Sequence, residues 1–383
     1  MPSSKFLNRF LLIISGVLLI FLSAGWTLKD TNSNSPNKIK DSKSGNVKTT
    51  DEVFKNIKVL KGMPAYQLLP TMHYFEASLG FNCSNCHVRG HNDSDKKPEK
   101  RKARKMIKMM EAINKNNFDG KQMVTCYTCH RGNANPQTIP EVATVAMMKE
   151  EIDQKNNDNM INVPNRLNSA EEIIAKFQQA IGGKDAFEKI TSLKLEGNVS
   201  AGEGRNFQVS IYKKAPDFYL SSSQSPFGTF EMGYNGKIGW EKSRFGLRQV
   251  NQPDIQDLKL DADFYSPLDF LKNYSNLKFT DVQILNNDTV YVVDGTSSNI
   301  RRYKFYFSTR TGLLLREIRF DKTLLGNLQT KTDYKHYTNV NGVLFPDDIR
   351  VANYERIEET KYTNISANVP VENSIFEMPP KTN

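Results

Sequence analysis

The strings Cys83-Ser84-Asn85-Cys86-His87 and Cys126-Tyr127-Thr128-Cys129-His130 both read C-x-x-C-H. This is the attachment signature of c-type haem, in which two thiols bond the porphyrin and the following histidine ligates the iron. The strings begin 43 residues apart and contain all four cysteines of the chain. They predict two covalent haems, with attachment through Cys83, Cys86, Cys126 and Cys129 and with His87 and His130 as proximal iron ligands.

Zinc is the other cofactor that paired C-x-x-C strings bind in proteins. A structural zinc site uses four cysteine or histidine ligands, but it does not require a histidine directly after both pairs. The repeated histidine therefore favours haem over zinc.

The N-terminus has the features of an export segment. Residues 10–28 carry no charge, and Lys5 and Arg9 precede them, as in the charged and apolar regions of a signal peptide. Ser23-Ala24-Gly25 offers small residues for cleavage, but the 19 uncharged residues are also long enough to span a bilayer. We expect residues 1–28 to be a signal peptide or a signal anchor, with 6–28 as the anchoring part. Because covalent haem attachment takes place outside the bacterial cytoplasm, the remainder is predicted to be periplasmic or in the cell envelope.

Length predicts a multidomain α+β protein, since 383 residues exceed a usual single core. Residues 29–50 are polar and predict a flexible linker. We then expect a small, mainly helical dihaem module at 51–140, a connector at 141–168 and a large antiparallel β domain at 169–383. A short helix is predicted within the connector, at Glu141–Gln154.

Positive charge is concentrated beside the first string. Between residues 96 and 108 there are eight basic residues against Glu99 alone. Such a surface can steer an acidic partner or lie on anionic lipid, or it can be a solvated helix face beside the haem propionates. We expect no nucleic acid partner for an exported chain. The eight are Lys96, Lys97, Lys100, Arg101, Lys102, Arg104, Lys105 and Lys108.

A predicted helix precedes each attachment string. Met63–Leu79 has Leu68, Met72, Phe75 and Leu79 at helical spacing and Gly80 as its C-cap, with Pro70 suited to a first helical position. Pro98 to about Asn114 has an apolar face made of Ala103, Met106, Ile107, Met110 and Ile113. The unit of helix followed by attachment string is therefore an internal repeat.

The repeat places a methionine before each string as a candidate distal ligand. A methionine thioether is a soft ligand that raises the reduction potential of a haem. Met72 and Met106 are predicted for this role, although core packing is the usual use of a helical methionine. The competitors are Met109 and Met110 at the second haem, His73 at the first, and the remote Met147 and Met148. His91 is expected to face solvent or a propionate.

Residues 54–136 resemble the cytochrome c subunit of photosynthetic reaction centres. The matching strings are Pro70-Thr71-Met72, Ser78-Leu79-Gly80-Phe81-Asn82-Cys83, Ala103-Arg104-Lys105-Met106, Glu111-Ala112-Ile113-Asn114 and Val124-Thr125-Cys126-Tyr127-Thr128-Cys129-His130-Arg131-Gly132. In that family a helix-borne methionine at these spacings is the distal ligand of the following haem, which implies the same role for Met72 and Met106. The family subunit carries four haems in two such pairs, whereas this chain has one pair. The implied partners are redox proteins, such as a membrane-bound electron donor or a reaction-centre-like complex.

From about Thr191 the sequence pattern is that of strands separated by turns, and turns are predicted at Asn235-Gly236, Asn286-Asn287-Asp288, Arg310-Thr311-Gly312 and Asn341-Gly342. Strands are predicted at Leu193–Val199, Phe207–Lys213, Thr229–Tyr234, Val290–Val293, Arg302–Phe307, Leu313–Phe320 and Thr330–Tyr337. Ser169 and Glu172 predict a capped helix ending at Gly182-Gly183, and further helices are expected near Pro253–Asp261 and Pro267–Tyr274. The pattern, including Ile375-Phe376 before Pro379-Pro380, resembles the half-barrel of lipoprotein-carrier proteins. Such a sheet holds an apolar ligand such as an acyl chain, or it buries its own helix.

Three functions fit these features. The first is an electron carrier or relay with two six-coordinate haems and no enzymatic activity. The second is a dihaem peroxidase-like enzyme with one open haem. The third is a lipid- or lipoprotein-binding protein whose haem module senses redox state. No catalytic constellation is visible in the predicted β domain, where His336 is the one histidine.

Overall fold

A computed structural model describes residues 48–136 and 167–380, with gaps at 202–204, 226–227, 245, 252–253, 298–300 and 355. The predicted export segment, most of the linker, the helix at Glu141–Gln154, and Met147 and Met148 lie outside the described residues. The described chain forms two compact units, one made of residues 48–136 with Asp321–Leu328 and the other of residues 167–320 with 329–380. Among the described residues, we find no helix with the length and apolar character that crossing a membrane requires.

The first unit contains the helices and attachment strings in the predicted order. Its elements are α1 (Thr50–Val53), a 3-10 turn (Ala65–Gln67), α2 (Leu68–Leu79), α3 (Cys83–Cys86), α4 (Pro98–Asn117) and α5 (Cys126–His130). Gly80 ends α2 in the left-handed conformation with φ of 63°, as predicted. The helix begins before Pro70, which is accommodated because the first-turn N–H groups have no intrahelical acceptor.

The apolar stripe of α2 is not the face that packs on the polypeptide. Thr71, Tyr74 and Ser78 are buried, whereas the stripe residues are only partly buried. On α4, Ile107 and Met110 are buried. The apolar flanks of both helices thus remain partly uncovered by the chain. The partly buried stripe residues of α2 are Leu68, Met72, Phe75 and Leu79.

The second unit opens with α6 (Ala170–Ala180) and α7 (Gly183–Phe187). Its first six strands are β1 (Ser192–Ser200), β2 (Asn206–Lys214), β3 (Phe218–Ser225), β4 (Gly228–Asn235), β5 (Gly239–Ser243) and β6 (Gly246–Val250). Two helices follow, α8 (Asp254–Ala262) and α9 (Phe270–Asn273). The remaining strands are β7 (Tyr274–Leu285), β8 (Asp288–Ser297), β9 (Arg302–Ser308), β10 (Leu314–Lys322), β11 (Asn327–Val340), β12 (Val343–Ala352) and β13 (Ile357–Ala367), and a 3-10 turn (Asn373–Phe376) ends the unit.

All thirteen strands form one antiparallel sheet in the order β6-β5-β4-β3-β2-β1-β13-β12-β11-β10-β9-β8-β7. The first and last strands therefore pair in the middle, with Leu195 opposite Ile365, and β6 and β7 are the edges. This confirms the predicted large antiparallel sheet. Tight turns lie where the sequence predicts them: Asn286 and Asn287 both have positive φ, as do Asn341 and Gly342.

The core of the second unit lies between the sheet and its own helices. Ile173, Ile174 and Phe177 on α6 are buried, and the Phe177 ring lies 5.4 Å from the Phe307 ring. Burying each such side chain contributes about 1.5–3 kcal/mol. The predicted capping box is present, since the Glu172 N–H donates to Ser169 Oγ at 3.1 Å. Of the two alternatives for the sheet, this packing favours the one in which it buries its own helices.

Candidate functional site

The two attachment strings fold into short helices of the same construction. The N–H of Asn82, the N-cap of α3, donates to Asn85 Oδ1 at 2.9 Å. In α5, the N–H of the N-cap Thr125 donates to Thr128 Oγ1 at 2.9 Å. In each string the polar residue before the second cysteine therefore closes the first turn. The cysteines of a pair, three residues apart on one turn, share a face of their helix.

Both histidines are oriented by a backbone carbonyl. His87 Nδ1 lies 2.9 Å from Asn92 O, and His130 Nδ1 lies 3.0 Å from Asn133 O. A carbonyl only accepts, so Nδ1 is the donor, and a neutral ring then keeps a lone pair on Nε2. Metal-ligating histidines are held in this way in proteins.

The charge state of His87 agrees with a ligating role. Burial lowers the pKa of His87, and the nearby cations Lys100 and Arg104 lower it further, against the raising effect of the hydrogen bond to Asn92 O. The neutral imidazole is favoured, which is the form that binds metal.

The environments of the four thiols differ. Cys83, Cys86 and Cys126 are partly buried, whereas Cys129 is exposed. Burial raises the pKa of Cys86 and raises that of Cys126 to about 11. Cys83 Sγ donates to Glu76 Oε1 at 2.9 Å. Within the described residues, no three His, Cys, Asp or Glu side chains are grouped closely enough to hold a metal ion together.

The candidate distal ligands occupy different environments. Met72 is partly buried on α2, and Met106 is 41 % exposed on α4. Met109 is also exposed, whereas Met110 and His73 are buried in the polypeptide. His91 is exposed. The assignment of Met72 and Met106 as ligands stays a prediction.

Helix α4 holds both strings. Near its start, Lys97 Nζ donates to Ser84 O inside the first string at 2.6 Å. Near its end, the buried Asn114 binds the segment before Cys126 through two hydrogen bonds to Val124. Asn114 Oδ1 accepts from the Val124 N–H at 2.8 Å, and Asn114 Nδ2 donates to Val124 O at 2.7 Å. The two strings also approach through α2, since the Gly132 N–H donates to Ser78 O at 2.9 Å.

Part of the basic run donates to backbone carbonyls of Asn56 and of the segment that follows the first string. Lys100 Nζ donates to Asn92 O, Arg104 Nη2 donates to Asn56 O, and Arg101 donates to Asp95 O. Asp95 lies 2.9 Å from Arg104 Nη1, and the hydrogen bonds it accepts from Arg104 and Lys58 hold its pKa well below the usual range. Lys102, Lys105 and Lys108 are exposed on α4.

Sequence reasoning missed the residues that fix the strings. Asn85 and Thr128 had a visible signal, since each lies three residues after a polar N-cap type. Asn92 and Asn133 gave no signal in the sequence, because they act through their backbone carbonyls, which every residue has.

Comparison with known proteins finds a family match over the part of the chain that contains both strings. Residues 23–177 match the family described as photosynthetic reaction centre cytochrome C subunit. The match confirms the resemblance carried by the attachment strings, and the name of this family implies covalently bound haem. The photosynthetic reaction center cytochrome c subunit of Thermochromatium tepidum is 36 % identical over 90 residues, which are 22 % of this chain and 22 % of that protein. The chain thus spans about a fifth of the length of this curated relative.

Two solved structures are similar to part of this chain. A DUF1329 family protein from Desulfovibrio piger has a TM-score of 0.41 and 13 % identity, covering 55 % of this chain and 98 % of that one. A LolA superfamily protein from Nitrosomonas europaea has a TM-score of 0.40 and 12 % identity over the same shares.

Proposed function

We propose that this protein is an extracytoplasmic electron carrier with two covalent haems. Cys83 and Cys86 attach the first and Cys126 and Cys129 the second. His87 and His130 are the proximal ligands, and Met72 and Met106 the distal ones. The observation that carries the proposal is the repeated attachment helix, in which each histidine donates from Nδ1 to a carbonyl and keeps Nε2 for iron.

The distribution of apolar side chains in residues 48–136 supports a large apolar cofactor bound by this part of the chain. Within residues 48–136, nine large apolar side chains are exposed, and five apolar side chains are buried. In residues 167–380, five large apolar side chains are exposed over more than twice the length. So small a polypeptide core is a weak basis for folding, and porphyrin faces would supply the missing apolar contacts. The five buried residues are Leu60, Met63, Tyr74, Ile107 and Met110.

The proposed role follows from the ligands. Haem supplies one-electron chemistry when bound. The two cysteines of each string would hold a haem covalently, and a backbone carbonyl orients the histidine that would ligate its iron. Met72 and Met106 would supply the second iron ligands, so the protein would pass electrons rather than catalyse. Its partners would be redox proteins, such as a membrane-bound donor or a reaction-centre-like complex, outside the cytoplasm.

A redox titration of the purified holoprotein, with optical and electron paramagnetic readout, tests the proposal. We expect haem that remains on the polypeptide after acid–acetone extraction, two one-electron waves and low-spin His/Met spectra. A matched pair of variants, Cys83→Ser with Cys86→Ser and Cys126→Ser with Cys129→Ser, should each retain one haem. A colourless polypeptide with four free thiols contradicts the proposal.

The same preparation separates the carrier from the alternatives. A carrier binds cyanide and carbon monoxide slowly or not at all, because both iron positions are filled. Rapid binding at one haem with a high-spin ferric signal would indicate the peroxidase-like enzyme. Lipid that copurifies with the protein and whose affinity changes on reduction would indicate the lipid-binding alternative.

A further inference from the structure

Lys100 contacts the carbonyl that orients the first proximal histidine. Asn92 O accepts from His87 Nδ1 at 2.9 Å and from Lys100 Nζ at 2.7 Å. Lys100 Nζ also donates to Ser94 O at 3.0 Å, and its side chain is only 12 % exposed. The ammonium group is therefore fixed beside His87 and is little screened by water.

The second string has no such contact. Asn133 O accepts from His130 Nδ1 at 3.0 Å. Within the part of the chain that the structure describes, no lysine or arginine donates to Asn133 O. Two strings of the same construction thus differ in the charge next to the carbonyl that holds the histidine.

The charged groups immediately around Lys100 and Asp95 have a positive balance. The Asp95 carboxylate lies 3.5 Å from Lys100 Nζ, but it also contacts Lys58 at 2.8 Å and Arg104 at 2.9 Å. With Asp93, which also acts on Lys100, three cations face two carboxylates.

Two effects of Lys100 act in the same direction on a haem bound at His87. A fixed positive charge disfavours the oxidised, more positive iron state. A carbonyl that already accepts from an ammonium group is also a weaker acceptor for the Nδ1–H, so the imidazole donates less electron density to the iron. Both effects raise the reduction potential.

We propose that Lys100 makes the haem attached at Cys83 and Cys86 the higher-potential member of the pair, so that an electron shared between the two haems resides there. This inference rests on the proposed two-haem function. Lys100 is a positioning residue in this scheme, because it acts on the iron through Asn92 and His87.

Redox titration of the holoprotein with Lys100→Gln tests the inference. The upper of the two one-electron waves should shift downwards, and the lower wave should stay in place. At a fixed potential we expect the reduced-to-oxidised ratio of the upper haem to fall roughly fivefold, as for a charge lost near a partly buried site. Lys100→Arg keeps the charge and should keep most of the upper potential.

Lys102→Gln is the matched control, since it removes the same charge two residues away from an exposed position. It should move both waves slightly, and salt should abolish its effect, whereas the Lys100→Gln shift should persist in salt. Three results with Lys100→Gln would overturn the inference while both haems remain bound. The lower wave moves, both waves move equally, or the shift is the same as that of Lys102→Gln. Loss of haem from the wild-type protein instead overturns the proposed function and this inference with it.

Discussion

Gly80 and Gly132 lie in contact, although 52 residues separate them in the chain. A Cβ built on Gly80 would lie 2.3 Å from Gly132 O, closer than any real Cβ contact. Gly80 ends α2 just before the first attachment string, and Gly132 follows the second. The pair therefore joins the two strings through backbone atoms alone, a contact that requires the absence of a side chain at Gly80.

Gly80→Ala should lower the free energy of unfolding of the first unit by more than the usual cost of placing alanine in the left-handed conformation. Left-handed backbone costs alanine about 1–2 kcal/mol, and the clash with Gly132 O adds to this cost. The free energy of unfolding of the holoprotein, measured with denaturant, checks this. The matched control is Gly90→Ala, because Gly90 has φ of 77° and open space around its Cβ position. Equal losses in the two variants would show that the contact does not matter.

Replacing Met72 or Met106 with alanine should change the spectrum of one haem. Loss of the thioether should abolish the low-spin His/Met signature at that haem and lower its reduction potential, because thioether ligation raises the potential. Attachment through the cysteines should survive. Optical and electron paramagnetic spectra of each variant check the result, and two unchanged spectra would rule out the ligand assignment.

Two other methionines on α4 serve as controls for this experiment. Met109 is 49 % exposed, so Met109→Ala should change neither the spectrum nor the stability. Met110 is buried at 6 % exposure, so Met110→Ala should cost about 2–5 kcal/mol of stability without a spectral change. A lost thioether signal in Met109→Ala would transfer the ligand role to Met109.

Local rules in the sequence were sufficient for much of the fold. The attachment strings, the Gly80 C-cap, the Ser169–Glu172 capping box and the Asn341-Gly342 turn each depend on a few neighbouring residues, and all appear where expected. The pairing of β1 with β13 depends instead on contacts across the whole unit, which periodicity does not encode.

The candidate site shows the same division. The cysteines and histidines were visible as a motif, but the partners of the basic run were not. A lysine ammonium group lies at the end of a flexible chain of four carbons, so tertiary structure decides which acceptor it reaches. Lys97 and Lys100 therefore looked like members of a solvated face, although Lys97 donates to a carbonyl inside the first string and Lys100 to one five residues after it.

Asp95→Asn should lower the stability of the first unit, and the size of the loss should depend on pH. Asp95 contacts Lys58 and Arg104, and these hydrogen bonds lower its pKa below the ordinary value of 3.8. Its contribution to stability is therefore present above about pH 4 and is lost as the pH falls below that value. Denaturant midpoints of wild type and variant should differ at pH 5 to 8 and converge in acid. Glu111→Gln, at an exposed position on α4, should show no difference at any pH.

Glu317 should make the second unit less stable as the pH rises. It lies opposite Phe305 on β9, whose side chain is fully buried, so it faces the core side of the sheet. Burial raises the pKa of Glu317 to about 7, against the lowering effect of Arg319. The folded state then binds more protons than the unfolded state between pH 4.5 and 7, so stability is full below this window and is lost through it.

Glu317→Gln isolates this effect from the other titrating groups. Burial also raises the pKa of Asp263, to about 7, which gives a slope of the same sign, so the variant should reduce the pH dependence rather than abolish it. Urea midpoints by far-UV circular dichroism at several values between pH 4.5 and 7.5 measure the slope. Glu188→Gln, at an exposed position paired with Lys184, is the control and should keep the wild-type slope. A Glu317→Gln slope equal to that of wild type would show that this carboxyl group is already ionised in the folded protein at pH 5.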